Sequence, residues 1–175
     1  MLTSSTDRIQ RVSSTGVVKQ IKRVAFQHYR NDHRWEQDEA GTVALWTWQP
    51  NISTIKMQQM APEAASLYVG LRFARQALAL APDDQEAQAL YVGFAFAADR
   101  NRVGWDNPLP TGPGTMHDMA LTLGDDSVSQ TLALALKNDR ADAAVAALQV
   151  LSQTATRHQI TERRPGRAPI VAALN

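Results

Sequence analysis

The sequence predicts an all-α chain, an α-solenoid-like array of stacked helices, and three observations carry that expectation. Most segments of the 175 residues place apolar side chains at the period of an amphipathic helix. The segment over 62–80 is apolar on two roughly opposite sides, as a helix packed between two neighbours must be. Proline and glycine punctuate the segments, most densely in "NPLPTGPGTMHD" at 107–118, and aromatic residues cease after Trp105. These features divide the chain into a helical part over 1–104, a Pro/Gly-rich spacer over 105–116 and further helices over 117–175.

The first helix is expected in "GVVKQIKRVAFQHYR", where Val17, Val18, Ile21, Val24, Ala25 and His28 form the apolar stripe. A second is expected in "HRWEQDEAGTVALWTW", with Glu36, Asp38 and Glu39 early, where the helix dipole favours negative charge, and Gln49-Pro50 as its stop. Residues 51–60 have no clear period and read as a loop or one irregular helix, their order left open. Pro62 suits the first turn of the next helix. Ala64, Leu67, Leu71, Ala74 and Leu78 make one of its sides, and Val69, Phe73, Ala77 and Leu80 the other. In "PDDQEAQALYVGFAFAADR", Asp83 is the expected cap and Glu86 its returning partner, ahead of a stripe of Ala87, Leu90, Tyr91, Phe94 and Ala98.

Beyond the spacer, "SVSQTLALALKNDRADAAVAALQVLSQT" reads as two helices broken at Asn138-Asp139, the second carrying Ala141, Ala144, Val145, Leu148 and Leu151. Asp125-Asp126 stand where a helix cap would. "PIVAALN" at the end reads as the first turns of another helix.

Cysteine is absent, which excludes disulfides, thiolate metal ligands and cysteine nucleophiles. No segment approaches the apolar length of a membrane span. The polar start "MLTSSTDRIQRVSST" lacks the apolar centre of a cleaved signal peptide. A soluble cytoplasmic protein without membrane contact is the expectation. Net charge is +1 but unevenly placed. Residues 1–34 carry seven Lys/Arg against Asp7 and Asp32, whereas 35–156 carry seven basic and fourteen acidic side chains. Basic ends around an acidic middle suit either neighbouring repeats or an anionic partner.

Candidate chemistry is sparse. "TGPGTMHD" lacks the lysine of a phosphate loop, no strand precedes it, and Pro113 removes a donor that an anion nest would use. Thr115 can cap the helix that follows, with Asp118 at the box position, so the stretch reads as a stiff spacer. The functional alternative is a shallow groove for a ligand or peptide, lined by Trp105, His117 and Asp118. His117 and Asp118 are adjacent, and neighbouring residues on a helix do not face each other. Ser127 and Ser129 have nothing to mark either as a nucleophile. His28 and His33 are poorly spaced for one helical face, so a metal site would need Asp32 and a distant ligand. No catalytic, metal or cofactor site is assigned. Lys19, Lys22, Arg23 and Arg30, with Phe26, Tyr29 and Trp35 nearby, could follow a nucleic-acid backbone and stack bases. The tryptophans read as core, because aromatic side chains bring large buried areas.

Residues 77–91, "ALALAPDDQEAQALY", resemble the junction between two tetratricopeptide repeats. Ala77, Leu78, Leu80, Pro82, Ala87 and Leu90 take the family's alanine, leucine and proline positions, and Gly70 its small position in the preceding helix. Ala74 and Gln88 stand where that family carries aromatic residues. "DRADAAVAALQVL" is similar to the aspartate-rich turn and alanine-rich inner helix of HEAT repeats, with Ala146 in place of a common arginine. The resemblance implies the front part of a longer bacterial helical-repeat protein. It also implies a non-catalytic scaffold whose concave surface takes a protein or peptide. The alternative is a nucleic-acid-binding helical module using the basic N-terminal face.

Overall fold

A computed structural model of the chain describes residues 14–162. Their elements, in order, are α1 (Ser14–Tyr29), β1 (Val43–Gln49), β2 (Thr54–Met60), α2 (Pro62–Leu80), α3 (Gln85–Val103), α4 (Met116–Leu123), α5 (Asp125–Lys137) and α6 (Ala141–Glu162). The described chain is therefore mostly helical, in line with the expected class, with one small two-stranded sheet added. The expected helix in "PIVAALN" lies outside the described residues. The chain divides into two compact units, Met1–Ala87 and Gln88–Asn175, with the division inside α3.

In the first unit α1 packs along α2. The predicted stripe of α1 turns inward: Val18, Ala25 and His28 are buried, together with Tyr29, while Val17, Ile21 and Val24 are half-buried. The helix ends in a Schellman turn. Asn31 takes φ 55°, its N–H donates to the His28 carbonyl at 3.1 Å, and the Asp32 N–H reaches back to Gln27 at 2.9 Å. Asparagine tolerates this left-handed conformation better than most residues.

The helix expected over 33–48 does not form. Residues 43–49 are a strand, and the stretch read as a loop or irregular helix supplies its partner: β1 and β2 pair antiparallel from Val43↔Met60 to Gln49↔Thr54. The cause is visible in the sequence. Val43, Leu45 and Thr47 alternate with Ala44, Trp46 and Trp48, and β-branched and aromatic residues favour a pleated surface. A run this rich in apolar residues satisfies a helical period and a strand period together. Gln49-Pro50 is not a helix stop: it ends the strand and leads into the hairpin turn over 50–53, and Ser53 in that turn has φ 47°.

Asp38 launches the hairpin from the loop before it. One carboxylate oxygen accepts the N–H groups of Ala40 (3.1 Å) and Thr42 (2.7 Å). The other accepts the Thr42 hydroxyl at 2.7 Å and the Gln59 amide at 3.1 Å. The Thr42 hydroxyl and N–H bonds hold the Asp38 carboxyl below its ordinary pKa. This aspartate organises a loop instead of balancing a helix dipole.

Pro62 opens α2 as expected. Burial on α2 centres on Ser66, Leu67, Gly70, Ala74 and Ala77, while Val69 and Phe73 are half-buried and Leu80 is exposed. Ala65 is fully buried as well, and each expected side contributes buried residues, Leu67 and Ala74 on one and Ala77 on the other, while Ala64 is exposed. The cap of α3 is displaced by one residue from the expected position: Asp84, not Asp83, accepts the Ala87 N–H at 3.0 Å. Lys22 of α1 reaches the same end, donating to Asp84 at 2.7 Å and Glu86 at 2.6 Å.

In the second unit, α3 buries Ala89, Leu90, Val92, Phe94, Phe96, Ala97 and Arg100. Such all-round burial is the signature of an internal helix. Arg100 fastens the chain beyond it, its Nη1 donating to the carbonyls of Gly104 (3.2 Å) and Asn107 (2.6 Å). The spacer then leads to α4, where the Thr115 hydroxyl accepts the Asp118 N–H at 3.2 Å, the cap read from sequence. Asp125 and Asp126 lie in the first turn of α5 behind Gly124 and favour its dipole without capping it.

α5 packs on α6, and α4 contacts both. The break between them falls at Asn138-Asp139, as predicted. It is a second Schellman turn, with Asp139 at φ 53° and the Arg140 N–H donating to Ala135 at 2.9 Å. The buried face of α6 is alanine-rich, with Ala143, Ala144, Ala146, Ala147 and Val150 inside. Of the expected stripe, Val145 and Leu148 are exposed. Small side chains let helices approach closely, so the packed face is the small one.

Candidate interaction surface

The hairpin presents two unlike faces. Val43 and Thr47 are buried on one, with Leu45 half-buried. On the other, Trp46 lies directly across from Met57 and Trp48 across from Ile55. All four are exposed: Trp46 at 66 %, Trp48 at 60 %, Ile55 at 60 % and Met57 at 46 %. Ala44 and Gln59 pair at the base of the same face, where Gln59 donates to the Asp38 carboxylate, so none of the six paired residues is itself charged. Ile52 in the turn is also exposed, at 69 %. Aromatic and β-branched cross-strand pairs stabilise a hairpin, which accounts for part of this arrangement. It does not account for leaving two indoles in water. Contiguous exposed apolar patches of this kind mark interaction sites.

This surface escaped the sequence reading, which placed the tryptophans in the core. Trp46, Trp48 and Trp105 are exposed. Only Trp35 is partly enclosed, its Nε1–H donating to the Ser66 hydroxyl at 2.8 Å. The signal that would have found the patch is the period-two alternation of "VALWTWQ", with both indoles in the same phase.

Trp35 belongs to a second cluster, which the Schellman turn at Asn31 assembles. By folding the chain back, the turn brings the His33 ring to 4.6 Å from that of His28, and Trp35 lies 4.5 Å from His33. Phe73 of α2 stacks on His28 at 6.2 Å with planes 9° apart. His28 is 3 % exposed and its Nδ1 has no hydrogen-bond partner. Burial, and secondarily the neighbouring His33, push its pKa down to about 4. The turn therefore overcomes the unfavourable spacing of the two histidines. Among the described residues, no group of three or more His, Asp or Glu is placed to hold a metal ion. A small pocket of about 150 Å³ opens beside Val69, Arg72, Phe73 and Gln76. It is smaller than the roughly 300–1,000 Å³ of ordinary ligand pockets.

The basic face is less uniform than its sequence suggests. Lys19 and Arg23 are exposed one turn apart on α1, and the Arg30 guanidinium lies 5.7 Å over the Phe26 ring. Lys22 is committed to Asp84 and Glu86. Burial opposes its charge, but the two carboxylates outweigh that and raise its pKa. Tyr29 is fully buried, which removes it as a stacking platform.

The three groove candidates do not share one surface. Trp105 and Asp118 are exposed, whereas His117 is 3 % exposed and its Nε2 has no partner. Among the described residues, no helix is long and apolar enough to cross a membrane. No protein-family model, curated protein or solved structure matches the chain.

Proposed function

We propose that the chain is a non-catalytic scaffold for protein–protein interaction, and that the exposed hairpin face is where a partner is held. The observation that carries this is the uncharged face of Trp46, Trp48, Ile55 and Met57. Tryptophan and methionine are enriched in protein interfaces, and buried tryptophans are frequent hot spots. The resemblance of residues 77–91 and 139–151 to helical repeats supports a binding role by analogy. The nucleic-acid reading keeps Lys19 and Arg23 as exposed cations. It loses Lys22 to an internal ion triad and Tyr29 to the core.

Affinity capture from lysate of the source cells, with and without nuclease, tests the proposal. The comparison is with a Trp46→Thr/Trp48→Thr chain, since threonine keeps strand propensity while removing the indoles. The expected result is a protein that survives nuclease and is lost with the double substitution. Capture indifferent to the substitution would refute the role of the face. Material released by nuclease or moderate salt would favour the basic face instead.

A further inference from the structure

We infer that the hairpin face pairs with a second copy of itself, so that the chain forms a two-fold symmetric dimer through stacked hairpins. This rests on the reading of that face as an interaction surface and names its partner. Three features select a second copy.

The first is charge. A surface that meets itself across a two-fold axis sets each charged group near its own image, and like charges there are costly. Here none of the six paired strand residues of the face, from Ala44 and Gln59 to Trp48 and Ile55, is charged, and the Asp38 carboxylate meets the face at its base, through Gln59. Lys56 pairs with Thr47, in the opposite phase of the pleat. A nucleic-acid or anionic-lipid partner would find no cation on this face to recognise.

The second is area. Taking about 250 Å² for a whole tryptophan and somewhat less for isoleucine and methionine, the exposed fractions of Trp46, Trp48, Ile55 and Met57 sum to about 500 Å². Two copies together cover about 1,000 Å², the size that a biological interface has to reach.

The third is geometry. Within the described residues β1 pairs only with β2, giving a two-stranded sheet. Two-stranded hairpins gain stability by packing a face on another element; Val43 and Thr47 already pack one face, and the indole face is left for a second sheet. Sheets stack face to face at about 10 Å, a separation that side chains from both copies fill by interdigitating. The direct Trp46–Met57 and Trp48–Ile55 pairs set two large rings beside two narrower side chains, and a two-fold rotation brings the large rings of one copy over the narrow positions of the other.

The experiment is sedimentation velocity of the full 175-residue chain across the micromolar range, with the variants run in parallel. The expected mass rises with concentration from 19.2 kDa to twice that value. Trp46→Thr/Trp48→Thr shifts the dissociation constant upward at least about tenfold, as loss of central interface aromatics does. Far-UV circular dichroism checks that this variant folds. Should it not, Ile55→Lys gives the same reading, because it sets two like charges near the axis. A mass fixed at 19.2 kDa throughout overturns the dimer while leaving the wider scaffold reading to the capture experiment. A dimer unmoved by Trp46→Thr/Trp48→Thr and by Ile55→Lys overturns the hairpin as its interface, and would point to pairing along a strand edge.

Discussion

Acid should destabilise this chain, chiefly through His28. Its folded-state pKa is lowered to about 4, first by burial and then by the charge of His33. In the unfolded chain the group returns to about 6.5. Between those values the unfolded chain binds a proton that the folded chain refuses. Stability is therefore complete above about pH 6.5, falls as pH drops toward 4, and loses nothing more from this group below that. The two values differ by about 2.5, and at about 1.4 kcal/mol for each pKa unit the ceiling on the loss is about 3.5 kcal/mol. The assay is urea unfolding followed by circular dichroism at about pH 7.5 and about pH 4.5, with the slope checked for constancy. His28→Phe keeps an aromatic ring against Phe73 and cannot bind a proton, so its decline over the same range should be smaller by about 2 kcal/mol. Equal declines in the two proteins would refute the assignment of the proton uptake to His28.

Further expectations follow from individual contacts. Thr115→Ala removes the hydroxyl that accepts the Asp118 N–H and should cost about 1 kcal/mol, read as a fall of about 2–4 °C in thermal midpoint. Asp139→Gly relieves a left-handed aspartate at φ 53° and should stabilise by up to about 1 kcal/mol in urea unfolding. Arg100→Met strips donors from the carbonyls of Gly104 and Asn107 and should destabilise by about 2–3 kcal/mol. Greater proteolytic nicking over residues 104–109 would accompany that loss. Lys22→Met should cost about 1 kcal/mol at low salt and less at high salt, since Glu86 is largely exposed. No change in unfolding midpoint at either salt would show that the triad contributes nothing.

Much of the helical framework was legible in the residues. Pro62, Thr115 and the Asn138-Asp139 break each act through a local rule, and each holds in the structure. Asp84 replaces Asp83 as the cap because either aspartate satisfies the spacing and only the backbone path selects between them. The hairpin was not legible by the same means. A seven-residue run with two tryptophans offers a helical stripe as readily as a strand phase, and its partner strand begins at Thr54, after a four-residue turn, in a stretch without helical period. The buried face of α6 was missed for a related reason. Periodicity marks the large apolar residues, whereas close helix contact selects the small ones, leaving Val145 and Leu148 outside. The meeting of His28 with His33 depends on a six-residue turn, which no face-by-face count of helix positions describes.

Oxidative footprinting of the indoles reads recognition through Trp46 and Trp48 residue by residue. Trp105, exposed at 59 % in the second unit, serves as the internal reference. Trp46 and Trp48 should lose labelling as the chain is concentrated or given its partner, while Trp105 stays constant. Labelling of Trp46 and Trp48 that remains level with Trp105 in every complex would refute recognition through the hairpin face.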